Sequence, residues 1–166
     1  MPEAVLRVMA FDYGTLRHGI AVGNDLTATA TPLTALPAKD GVPAWALLDE
    51  LVSTWQPDVF LVGLPLEADL SYNTLSQRAR KLARRLFGRY GKPCYAMNER
   101  GSTREAKVRA QTLGHRGNYR EDPVDSLAAA IILETWLALR QASDVSPEQQ
   151  RFLQPLAGPQ VVAGQH

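Results

Sequence analysis

The chain has 166 residues, 45% hydrophobic and 21% charged, the size and balance of one globular domain with a real core. No apolar run nears the roughly 18 residues of a membrane span. Met1-Pro2-Glu3-Ala4 does not open like a secretory signal, and the single cysteine, Cys94, excludes an internal disulfide and a cysteine-based metal site, so a cytoplasmic location is expected. The net charge of +1 hides a division along the chain: −6 over residues 1–69, +11 over residues 70–120 and −4 over residues 121–166.

In chain order, Val5 to Phe11 reads as a buried strand ending in the turn Asp12-Tyr13-Gly14-Thr15. Gly19 to Gly23 predicts a second strand paired with it as a hairpin, and Thr27 to Leu36 an edge-like third, interrupted by Pro32. Apolar residues at 44, 47, 48, 51, 52 and 55 form a helical stripe that Pro57 ends. Asp58 to Gly63 carries the continuous apolar run Val59-Phe60-Leu61-Val62, as in a strand buried on both faces.

Ser71 to Gly91 predicts a helix with Leu75, Ala79, Leu82, Ala83, Leu86 and Tyr90 inward and a basic flank. Cys94 to Met97 is a fifth strand, ending at Asn98-Glu99, with Cys94 in the core. Ser102-Thr103-Arg104-Glu105 is a capping box opening a helix to Gly114. Residues 114–121 read as a polar, mobile loop, Val124 to Leu139 as a strongly apolar helix, and residues 141–166 as a flexible tail. Three sequential strands followed by alternating helices and strands predict an α/β fold, a mixed five-stranded sheet with helices on both faces.

The acid-free stretch from Leu70 to Asn98 reads either as a solvated helix face or as a surface for a polyanion, most often nucleic acid. Asp12 and Glu99 each end a strand, and in open α/β sheets ligands gather at the carboxyl ends of strands. Asp125, in the first turn of the last long helix, and Asp122, three residues before it, can join them. Asp122-Pro123-Val124-Asp125 is equally a good helix start with Asp122 as its cap. Clustered carboxylates repel one another unless a cation lies among them, and oxygen donors favour Mg²⁺ or Mn²⁺. Two such ions can activate a water and stabilise the oxygen leaving a phosphodiester. No phosphate loop, nucleophile elbow or paired-histidine zinc motif is present, and His18, His115 and His166 are scattered.

Phe11-Asp12-Tyr13-Gly14-Thr15 with Arg17 and Gly19, then Ala21-Val22-Gly23, resembles the opening motif of the YqgF/RuvX family. So do Val62-Gly63-Leu64-Pro65-Leu66, Glu99-Arg100 with Ser102-Thr103 and Glu105-Ala106, and Val124-Asp125-Ser126-Leu127-Ala128-Ala129, in the family's order across residues 5–140. The resemblance implies an RNase H-like domain over residues 1–140, related to the RuvC Holliday-junction resolvases, and a nuclease maturing the 5′ end of 16S ribosomal RNA. It makes Asp12, Glu99 and Asp125 the catalytic triad holding divalent metal, expected as a two-metal site for Mg²⁺ or Mn²⁺, with Asp122 a possible fourth carboxylate. Arg17 and Arg100 adjoin those acids and are expected to touch substrate phosphate. Arg78, Lys81, Arg84, Arg85 and Arg89 are the candidate substrate track. The expected partner is structured nucleic acid, precursor rRNA or branched DNA, bound by a monomer or homodimer. A Holliday-junction resolvase and a non-catalytic RNA-binding factor are the alternatives. The family usually has Asp where this chain has Asn98 and an apolar residue for Gly101, and often Asp for Asn24.

Overall fold

The computed structural model describes residues 5–99 and 124–160. One mixed sheet dominates them. Strands β1 (Arg7–Asp12), β2 (Arg17–Asn24) and β3 (Ala30–Lys39) form an antiparallel meander, and β5 (Val59–Leu64) and β6 (Cys94–Asn98) continue the sheet parallel to β1. A two-residue strand, β4 (Val42–Pro43), pairs with the end of β3 and extends the expected five strands to six, in the order β4-β3-β2-β1-β5-β6. β5 lies between β1 and β6, and every residue of β5 is buried, which is why its sequence lacks polar alternation.

Helices α1 (Trp45–Trp55), α2 (Thr74–Tyr90) and α3 (Val124–Gln141) follow. Because side chains alternate along a strand, Asp12, Gly63, Tyr95 and Glu99 share one face of the sheet. That face carries α3: Trp136 packs on Tyr95 with ring centroids 5.2 Å apart. Phe60 lies on the other face and meets Tyr90 of α2 at 5.5 Å. Helices therefore cover both faces, as expected for the RNase H-like class.

Several elements differ from their sequence reading. β3 runs straight through Pro32, because no strand pairs with its outer side until β4 reaches Ala38 and Lys39, so the missing N–H costs no ladder bond. α2 begins at Thr74, not Ser71. Asn73 caps it, accepting from the Ser76 N–H (2.8 Å) while the Ser76 hydroxyl accepts from the Asn73 N–H (2.7 Å). That reciprocal cap turns Ser76 inward and leaves Leu75 at 41% exposure. In α1 only Leu48 is fully buried, and Leu47 and Trp55 face outward. Cys94 is fully buried, and desolvation pushes its thiol pKa up.

The stretch read as a tail packs against the domain. After a short helix α4 (Pro147–Gln150), Phe152 is buried and its carbonyl accepts from the Trp136 indole (2.8 Å). Leu156 and Ala157 then pair with Cys94 at the start of β6, on its outer edge, where no other described strand pairs. Edge-strand coverage and a buried aromatic together overcome the weak periodicity of this segment. The capping box at Ser102, the helix it was expected to open and the loop 114–121 lie outside the described residues.

Candidate active site

Asp12 is the last residue of β1 and is 9% exposed. In register it stands beside Gly63 of β5, which stands beside Met97 of β6. The ladder continues one step past β6, where the Glu99 N–H donates to the Leu64 carbonyl (3.0 Å). Glu99 thus points to the same face as Asp12, with only β5 between them.

Gly63 makes their meeting possible. A Cβ at this position would lie 2.8 Å from Glu99 Oε2, 3.1 Å from Glu99 Cβ and 2.6 Å from Ile132 Cδ1. The space a side chain would fill is taken by the Glu99 carboxyl crossing toward Asp12. Burial, then a hydrogen bond to Asp12, then the Asp12 charge all push the Glu99 pKa up, far above the usual carboxylate range. Burial and the nearby Asp12 carboxyl both favour the protonated form of the Glu99 carboxyl. Two buried carboxyls in contact are stable only around a shared proton or a cation, and their oxygens suit a hard divalent ion.

The third acid, Asp125, lies in the first turn of α3; its side chain is outside the described residues. The next residue fixes where that turn sits. The β2–β3 register slips between His18 and Ile20, and the Ile20 N–H donates to the buried Ser126 hydroxyl (3.3 Å). The start of α3 is thereby held on β2, beside the end of β1. The sequence reading named neither Gly63 nor Ser126 as functional, although Gly63 follows a continuous apolar strand and Ser126 adjoins a motif acid.

His18 is fully buried. Its Nδ1 accepts from the Gly14 N–H (3.2 Å), so Nε2 carries the proton and donates to the Gly41 carbonyl (3.0 Å). It therefore joins the turn after Asp12 to the β3–β4 turn. Burial drives its pKa down to about 4, against a smaller upward pull from the Gly41 bond.

The basic residues separate into groups. Arg89 donates to both Asp49 oxygens (2.9 and 2.7 Å) and lies over the Trp45 ring at 4.9 Å, bracing α2 against α1. It sits about 16 Å along the helix from Arg78, at the end away from the carboxyls. Arg78 donates to the Asp40 side chain (2.6 Å) and carbonyl (2.8 Å). Lys81, Arg84 and Arg85 are exposed, and Arg17 is exposed at the start of β2, on the rim that bears Asp12. Arg100, Gly101 and Asp122 lie outside the described residues. Asn24 is at the opposite end of the sheet, where its side chain accepts from the Leu26 and Thr27 N–H groups and organises a turn. Asn98 precedes Glu99 and by alternation faces the other side of the sheet.

Residues 6–139 match the RuvX family, described as Holliday junction resolvase. The chain belongs to this family. A relative from Chromohalobacter salexigens, "Putative pre-16S rRNA nuclease", is 53% identical over 83% of this chain and 94% of its own. Relatives of the same description from Saccharophagus degradans (50% identical; 78% of this chain, 91% of theirs) and Azotobacter vinelandii (47%; 81% and 95%) are also similar. Among solved structures, Thermus thermophilus RuvC in complex with Holliday junction substrate aligns over 83% of this chain and 97% of its own, at 18% identity and a TM-score of 0.49. The RuvX match stops just before the segment that covers β6, so that strap lies beyond the part matched to the family. Among the described residues no helix is long and apolar enough to cross a membrane.

Proposed function

We propose that this RuvX-family nuclease is a divalent-cation-dependent endonuclease cutting structured RNA, and that it trims the 5′ end of precursor 16S ribosomal RNA in the cytoplasm. The observation that carries this reading is the carboxyl pair Asp12 and Glu99, in contact across Gly63 at the carboxyl end of parallel strands. The names of the relatives favour RNA as substrate.

Asp12 and Glu99 would hold Mg²⁺ or Mn²⁺, with Asp125 of α3 as third ligand and Asp122 as cap or fourth. Bound there, such ions lower the pKa of water and neutralise charge developing on the phosphoryl oxygens. The chain's own part is positional. The β-ladder sets the two carboxyls, the Ser126 anchor sets the start of α3, and Arg17, Arg100 and the exposed cations of α2 hold backbone phosphates.

A cleavage assay on a precursor rRNA fragment, with Mg²⁺, Mn²⁺ or EDTA, tests this. Cleavage is expected with either cation and none with EDTA. Asp12→Asn is expected to abolish it while leaving binding nearly unchanged; full activity in that variant overturns the mechanism. The family description supports a second substrate, a four-way DNA junction, and preferential cutting of that junction would replace RNA with DNA in this reading. A resolvase cutting two strands symmetrically also requires a two-fold dimer. Tight RNA binding with no cation-dependent turnover would mark a non-catalytic binding factor instead.

A further inference from the structure

A groove of about 510 Å³ lies between α2 and the β3–β4 turn, lined in part by Tyr13, Asp40, Gly41, Arg78, Lys81 and Arg85. Its floor is built rigidly. The Gly41 N–H donates to the Thr15 carbonyl (2.9 Å), the Gly41 carbonyl accepts from His18, and the Tyr13 hydroxyl lies where a Gly41 side chain would be. With φ at +83°, Gly41 suits this turn for a second reason. The turn is thus pinned to the hairpin that begins at Asp12. On the other wall Arg78, Lys81 and Arg85 follow one another down a single helix face.

The charge balance of the groove favours an anion. Asp40 is the one acid among the described residues that line it, and Arg78 pairs with it. Lys81 and Arg85 are exposed and, among the described residues, have no acidic partner. The volume lies in the range of small-ligand sites and is enough for about one nucleotide unit, such as an unpaired strand would place there. Tyr13 follows Asp12 directly and, by alternation, turns to the α2 face while Asp12 turns to the α3 face. A strand crossing the end of β1 would pass from the carboxyls into the groove.

We propose that this groove is a phosphate subsite for a single-stranded segment flanking the cut, in which Lys81 and Arg85 hold backbone phosphates. This rests on the nucleic-acid reading above and adds a substrate class: nucleic acid with an unpaired flank rather than a continuous duplex.

The test is fluorescence anisotropy in EDTA, with a short labelled single-stranded RNA and a duplex of the same length, across a salt series. Lys81→Ala/Arg85→Ala is expected to lower the magnitude of the single-strand salt slope by about 1.4, two phosphate contacts at ~0.7 each. The duplex slope should change much less, and Lys92→Ala, a surface-charge control, should leave both near wild type. Lys81→Glu/Arg85→Glu should weaken single-strand binding further, and circular dichroism checks that both variants remain helical. An unchanged single-strand slope, or an equal loss for the duplex, overturns the subsite. Since no cleavage is measured, the two readings fail separately: a reduced slope in a protein that never cuts RNA supports the groove and overturns the nuclease.

Discussion

A missing side chain decides the chemistry at Gly63. The Glu99 carboxyl occupies the volume a Cβ would need, and Ile132 closes the other side, so neither neighbour can retreat without leaving the site or the core. Gly63→Ala should cost about 1–3 kcal/mol in stability by overpacking. It should also lower cleavage by roughly 10²-fold, since small displacements of reacting groups carry such penalties. Urea denaturation and single-turnover cleavage on the same preparation measure both, and wild-type turnover in the variant would refute the role given to this glycine. His18 has a different signature. Its folded pKa of about 4 lies below the ordinary 6.5, so the unfolded chain takes up the proton first. The stability due to the neutral imidazole is present above the unfolded value and is lost as pH falls toward the folded one, on the order of 3 kcal/mol in all. His18→Asn should flatten the stability profile across that interval, and parallel profiles in denaturant titrations would contradict it.

Among elements, the C-terminal strap has the clearest energetic consequence. It buries Phe152, satisfies the Trp136 indole and occupies the outer edge of β6, the strand that leads into Glu99. Arg151 adds a bond to the Leu70 carbonyl (2.8 Å), tying the strap to the loop before α2. Removing residues 142–166 should destabilise the domain by about 3–5 kcal/mol, from the lost aromatic burial and an orphaned indole N–H. It should also expose a strand edge prone to self-association. Denaturation midpoints and light scattering on the truncated chain check this, with Phe152→Ala as the milder variant. An unchanged midpoint in both would mean the strap carries no stability. α1 and α2 show the same dependence on partners: the Asp49–Arg89–Tyr90 cluster converts part of a basic helix face into a helix–helix joint.

At the scale of the whole molecule, the net charge of +1 is a cancellation between segments that folding rearranges. The acids at 12 and 99, distant in sequence, come together inside, while Lys81, Arg84 and Arg85 stay outside. Much is already legible in the chain: a mixed α/β sheet, strands leading to Asp12 and to Asn98-Glu99, and motifs that resemble one family. These are legible because apolar runs, turn residues and short motifs are local signals. Folding alone settles which cations face solvent, since Arg78 and Arg89 find acids 38 and 40 residues away. It also settles that Gly63 opens a passage between two carboxyls, that Ser126 satisfies a strand amide 106 residues away, and that the C-terminal segment packs on β6. Each depends on which surfaces meet across the sheet. A pairing of that kind is set by packing and shared burial, and leaves no periodicity in the chain.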